Sequence, residues 1–154
     1  MNRRQQKLSK RLAAAATFGD STQINALLRA GACPEASITE GTTPLYAASV
    51  NGAADNVLCL LAAGSLPNTE SGRGAEGTPL CAAACWGHTE AVRALLTHGA
   101  DPNLRGDHGM GHSPLEWATT GRFGRRRTTN RPVPHHTPGT TALRHAHLRR
   151  HIKH

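Results

Sequence analysis

The sequence predicts an all-α solenoid of stacked helix–turn–helix units joined by hairpin-like loops, followed by a disordered basic C-terminal tail. Three observations carry this expectation. A Thr/Ser-Pro-Leu step recurs at Thr43-Pro44-Leu45, Thr78-Pro79-Leu80 and Ser113-Pro114-Leu115, 35 residues apart each time. Each of the first two steps is followed in the same order by a glycine (Gly52, Gly87), a Leu-Leu pair (Leu60-Leu61, Leu95-Leu96) and a Gly-small dipeptide (Gly64-Ser65, Gly99-Ala100). After residue 118 the composition changes abruptly. Self-similarity at this period is the signature of repeat units that bury their apolar faces against one another.

The opening unit lacks the Thr-Pro step but keeps the ladder through Leu12-Ala13-Ala14, Gly19, Leu27-Leu28 and Gly31-Ala32. Residues 2–10 read as a polar, basic lead-in that frays at its start. Leu8, Leu12 and the alanines make a first helix, and Ile24, Leu27 and Leu28 a second. This unit is expected to be an N-terminal cap, with Arg4, Gln5, Gln6, Lys7 and Lys10 on a polar outer face. In the following units Thr43 and Thr78 are natural N-caps, because a threonine hydroxyl accepts a bond from a free first-turn amide. Pro44 and Pro79 then stand at the first helical position, where a missing N–H costs nothing. Gly52 and Gly87 end these short helices. Val57 with Leu60-Leu61, and Val92 with Leu95-Leu96, mark second helices that stop at Gly64 and Gly99.

Residues 33–43, 65–78 and 101–113 are the connections. The second is Gly- and Pro-rich and two residues longer than a 33-residue period allows, which reads as a finger projecting beside the helices. A fourth unit starts at Ser113-Pro114-Leu115-Glu116-Trp117-Ala118, yet no second helix with a Val…Leu-Leu stripe follows. The expected division is therefore a repeat domain over residues 1–118 and a tail over 119–154. The third unit's outer face is left without a full cap, so fraying is expected from the C-terminal end. The tail's Arg, Pro, His, Thr and Gly are what a GC-rich gene gives in another reading frame. An out-of-register remnant of a complete fourth unit would show its Leu-Leu and Gly-Ala ladder in one of the other two frames.

These residues resemble the ankyrin repeat, whose pattern runs through Thr-Pro-Leu-His, a double alanine, Gly-His, a double leucine and Gly-Ala. The resemblance covers about residues 4–118 and departs at the fourth position of the first step, which here reads Tyr46, Cys81 and Glu116. It implies an ankyrin-repeat solenoid and a scaffold, adaptor or inhibitor role in binding another protein through the concave helix face and the loop tips. The family's inter-repeat hydrogen bonds from that histidine are therefore not expected at these positions.

The chain carries a formal net charge of +8, but the charge is unevenly placed. Residues 1–116 hold nine Lys/Arg and all ten Asp/Glu, whereas residues 117–154 hold nine Lys/Arg and no acid. The tail's Arg125, Arg126 and Arg127 could neutralise phosphates, giving weak, salt-dependent and non-specific attraction to nucleic acid. With Phe123 the tail's only aromatic after Trp117, base stacking has little support. A nucleic-acid-associated protein acting through this tail is the alternative reading.

No run approaches the ~18 apolar residues needed to cross a bilayer, so no membrane span is expected. The four cysteines come without a secretory segment, and a cytoplasmic, reducing setting is the default. The acid-free first 19 residues fit an organelle-targeting peptide in composition but read better as the first repeat helix.

Chemistry-bearing motifs are few. Gly72-Arg73-Gly74-Ala75-Glu76-Gly77 has the letters of a dinucleotide-binding loop but no strand before it. Cys81, Cys85 and His88 at i, i+4 and i+7 would need a fourth ligand to hold zinc, and Gly87 ends the helix before His88. His147, His151 and His154 repeat that spacing in the tail with no Cys or carboxylate beside them. Ser113 lacks the second glycine of a nucleophile elbow. No catalytic constellation, cofactor or metal site is read from the chain, and no enzymatic activity is expected. The candidate partner-binding residues are Trp86, with Val50 and Asn51 flanking it in the preceding unit, and the finger tips: Glu40 and Thr42, Arg73 and Glu76, His108 and Met110. Trp86 either faces a partner, as tryptophans at interface hot spots do, or packs across the stack.

Overall fold

A computed structural model describes residues 2–37, 41–74 and 76–120. The helices are α1 (Arg3–Phe18), α2 (Ser21–Arg29), α3 (Pro44–Asn51), α4 (Ala54–Ala62), α5 (Pro79–Trp86), α6 (Thr89–Thr97) and α7 (Pro114–Thr120). They pair as α1/α2, α3/α4 and α5/α6, and each pair stacks on the next. The first helices α1, α3, α5 and α7 form one layer and the second helices α2, α4 and α6 the other. The fold is thus an all-α repeat solenoid, and the described residues contain no strand, only an isolated bridge between Ser71 and Gly77.

Local chemistry starts and stops the helices where the repeat ladder places them. Thr43 and Thr78 accept from the amides of Tyr46 and Cys81, both at 3.2 Å, with Pro44 and Pro79 next in line. Gly52 and Gly87 close α3 and α5 in left-handed conformations, φ +68° and +72°, a region an L side chain enters only at a cost. The start of α1 differs from the expected frayed lead-in. Asn2 accepts from the amide of Gln5 at 2.8 Å, so the helix begins at Arg3. Gln5, placed on the outer face from sequence, is half-buried.

One core runs the length of the stack between the two layers. Leu12, Ile24, Leu45, Val57, Leu60, Leu80 and Leu95 are each at most 2% exposed. Ala16, Ala48, Ala83 and Ala91 sit among them at 0%, and such small side chains let thin helices approach closely. Burying one of these leucines stabilises the fold by about 1.5–3 kcal/mol.

Leu115 breaks the expected equivalence. Leu45 and Leu80 are 1% and 2% exposed, but Leu115 is 72% exposed. Leu80 lies in the same core cluster as Ala91, Ala94 and Leu95 of α6, whereas α7 has no second helix of its own unit among the described residues. Leu96 shows the same loss of cover: it is 43% exposed where its counterpart Leu61 is 7%.

The connections are tied to one another from unit to unit. Leu66 donates its amide to Glu35 at 2.9 Å, and one unit later Asp101 donates its amide to Asn68 at 2.7 Å. Gly72 donates to the Gly41 carbonyl at 3.0 Å, and the Thr43 amide donates to the Ser71 hydroxyl at 3.0 Å.

Candidate functional site

On α3 and α5 a second, smaller cluster forms apart from the main core. Tyr46, Val50 and Ala82 are buried, and Trp86 lies half-buried against them. Tyr46 and Val50, like Ala82 and Trp86, stand four residues apart and so share a helix face. Of the two readings of Trp86, the packing across the stack is seen: it lies against residues of both α3 and α5 and is half-buried.

Val50 is 7% exposed within the cluster that Trp86 packs against, so its side chain is not presented at the surface. A side chain on the inner line of α3 is covered once α5 stacks on it, a tertiary fact that the residue's flanking position in sequence does not convey. Asn51 is half-buried and turns its amide back to the Ala47 carbonyl at 2.9 Å.

His88 locks the two units together behind this cluster. Its Nε2 stands 2.9 Å from the Val50 carbonyl, and since a carbonyl can only accept, Nε2 carries the proton. The ring lies over Gly52, where a Cβ would fall 2.4 Å from Nδ1. The chain thereby has an inter-repeat histidine bond, made from a different position than the one the family pattern suggested.

Cys81 occupies that family position. It is buried, with Sγ 3.6 Å from the His112 carbonyl and 3.8 Å from that of Leu104, both on the third connection. Burial pushes its thiol above the ordinary cysteine value, against the opposing pull of bonds with Thr78 and Gly106. A neutral thiol donates only weakly, so this is a softer tie than an imidazole would make.

In the fingers the proposed tip residues divide into two kinds. Glu76 is engaged from inside: the Thr42 hydroxyl donates to its carboxylate at 3.0 and 3.1 Å, and Ser71 donates at 2.8 Å. Thr42 and Glu76 thus join the first finger to the second. Arg73, by contrast, is exposed, and its backbone is left-handed at φ +58° in the single 3-10 turn Gly72–Gly74.

On the third finger Met110 is 86% exposed. His108 donates its amide to both Glu70 oxygens at 3.2 Å, and its ring stands 3.4 Å from the same carboxylate. Glu40, Arg125, Arg126 and Arg127 lie outside the described residues, as does the tail beyond residue 120, whose disorder the composition suggests.

Two features escaped the sequence reading. The rings of His112 and Trp117 meet edge-to-face at 5.3 Å, because Trp117 falls at the α7 position that Ala82 holds on α5. Glu116 closes a capping box on α7, accepting from the Ser113 amide at 2.7 Å while the Ser113 hydroxyl accepts from the Glu116 amide. Ser113 and Glu116 have the spacing of that motif, which was the available signal. The Ser113 bonds, then Arg105 beside it, hold the Glu116 carboxyl below the ordinary glutamate range.

The glycine-rich finger is closed by the Ser71 amide bonding to Gly77 at 2.9 Å, with no strand leading into it. Among the described residues no three His, Cys, Asp or Glu side chains are grouped to hold a metal ion. No described helix is long and apolar enough to cross a membrane.

A family model for ankyrin repeats, three copies long, matches residues 12–106 and again 67–125. The chain belongs to the ankyrin repeat family, in keeping with the stacked helix pairs, the Thr-Pro-Leu steps and the glycine-ended helices. No curated protein matches the chain. Ankyrin repeats are generally protein–protein interaction modules and typically non-catalytic.

Proposed function

We propose that the chain is a scaffold-, adaptor- or inhibitor-type binding protein that takes a partner protein on the first-helix layer and the finger tips beside it. The observation that carries this is the placement of partly uncovered apolar groups on a rigid frame. Trp86 is held against Tyr46 and Val50, and Met110 stands 86% exposed at a finger tip. Leaving a methionine this open contributes nothing to folding, and a half-open tryptophan is a common interface anchor. Arg73 supplies charge and His108 hydrogen bonding at the neighbouring tips. The hydrogen bonds tying the loops together, Thr42 to Glu76 and His108 to Glu70, hold the tips in place without consuming the tip side chains of Arg73 and Met110.

The test is capture from lysate by the full chain beside Trp86→Ala, Met110→Ala and Arg73→Ala variants, with circular dichroism to verify that each stays folded. Loss of the same partners by the folded variants is expected. Capture that is unchanged by all three substitutions would refute this surface as the site.

A further inference from the structure

The outer face of α1 carries a basic strip. Arg3, Arg4, Lys7, Lys10 and Arg11 are all exposed, and at 100° per residue they fall within an arc of about 120°. Leu12 and Ala16, both 0% exposed, lie on the opposite side and bind the helix into the stack. Among the described residues none of the five cations takes part in an ion pair.

A polar cap kept only for solubility does not account for this arrangement. Mixed signs would serve as well and would add favourable pairs at i,i+4. Instead Arg3/Lys7 and Lys7/Arg11 are like-charged neighbours at that spacing, and the first turn holds two arginines and no acid, which opposes the helix dipole. The sequence accepts local destabilisation to concentrate positive charge on one strip.

The surroundings select the kind of anion. Residues 1–19 have five Lys/Arg and no acid, while residues 20–120 have four Lys/Arg against ten Asp/Glu, a net of −6. From Arg3 to Arg11 the strip is only about 12 Å long. A long polyanion such as nucleic acid would run past it onto the acidic repeats. Farther along the same face, at Arg3, Lys7, Arg11, Ala14 and Phe18, the spacing of four, four, three and four ends on a phenylalanine that is 56% exposed. A short ligand with carboxylates at one end and an apolar side chain at the other matches the strip.

We infer that the outer face of α1 docks a short acidic segment of a partner protein, with its carboxylates on Arg3, Lys7 and Arg11 and an apolar side chain against Phe18. This rests on the protein-binding reading above but uses none of the residues placed in that surface, so the two can fail separately.

The experiment uses the full chain and a fluorescein-labelled glutamate peptide ending in phenylalanine, followed by fluorescence anisotropy at low salt. Replacing Arg3, Lys7 and Arg11 together by glutamine is expected to weaken binding about tenfold, the sum of several exposed charge pairs. Because these changes relieve like-charge repulsion, α1 should stay helical by circular dichroism. Phe18→Ala is expected to weaken the same peptide by a smaller factor, and Arg125→Gln, Arg126→Gln and Arg127→Gln together to leave it within about twofold. The inference is overturned if the full chain does not bind the peptide, or if the α1 triple variant binds it as well as the unaltered chain. It is equally overturned if the tail variant accounts for the loss. Tighter binding of an oligothymidylate that the same α1 substitutions abolish would assign the strip to nucleic acid instead. Partner capture by the Trp86 variants is read independently of all these outcomes.

Discussion

Replacing Gly52 by alanine tests how one repeat is fastened to the next. Gly52 closes α3 at φ +68°, and holding an alanine in the left-handed region costs about 1–2 kcal/mol. The new methyl group would also fall 2.4–2.8 Å from three atoms of the His88 ring, closer than atoms can pack. The ring must swing away, and with it goes the bond from Nε2 to the Val50 carbonyl at 2.9 Å, worth about 0.5–1.5 kcal/mol. The expected loss is therefore about 1.5–3.5 kcal/mol, measured by urea unfolding followed by far-ultraviolet circular dichroism. In a His88→Ala background the clash and the bond are both absent, so only the backbone part remains. A double-mutant cycle should return a coupling of about 0.5–1.5 kcal/mol, above the few tenths expected of independent sites. If Gly52→Ala costs the same in both backgrounds, His88 is not the fastening between units and the reasoning fails.

Leu80→Ala and Leu115→Ala should part company although the two leucines hold the same place in the repeat. At 2% exposure Leu80 should cost about 2–5 kcal/mol on truncation, whereas Leu115 at 72% exposure should stay within about 0.5 kcal/mol by the same urea titration. A large loss at Leu115 would mean that further chain covers it. Acid should loosen the last described helix first. Because the Glu116 carboxyl is held below its ordinary range by Ser113 and Arg105, its contribution is full above the unfolded glutamate value. That contribution is lost as pH falls through the lower, folded one. Amide exchange at Glu116 and Trp117, corrected for the intrinsic pH dependence, should rise across that window, and Glu116→Gln should remove the effect.

The architecture was legible in the sequence because a repeat writes its anchors several times over. Thr78, Pro79, Gly87 and Leu95 each act through local chemistry: a cap, a ring-fixed φ, a left-handed turn, an apolar stripe. Each copy supports the reading of the others. The positions of the fingers were legible for the same reason, since Gly- and Pro-rich stretches interrupt helical periodicity wherever they occur.

What the residues do to one another across units was not legible. From sequence alone Val50 flanks Trp86 and Glu76 sits at a finger tip. Stacking buries Val50 in the cluster that Trp86 packs against, and Glu76 turns inward to Thr42 and Ser71. The inter-repeat histidine bond also moved, from the position held by Cys81 to His88, because a partner 38 residues away is set by the rotation and rise between units. Helix starts, helix stops and the period of the stack depend on neighbours within a few residues, and the chain determines them unaided. Which side chains remain at the surface depends on what the adjacent copy covers, and that is decided only when the helices pack.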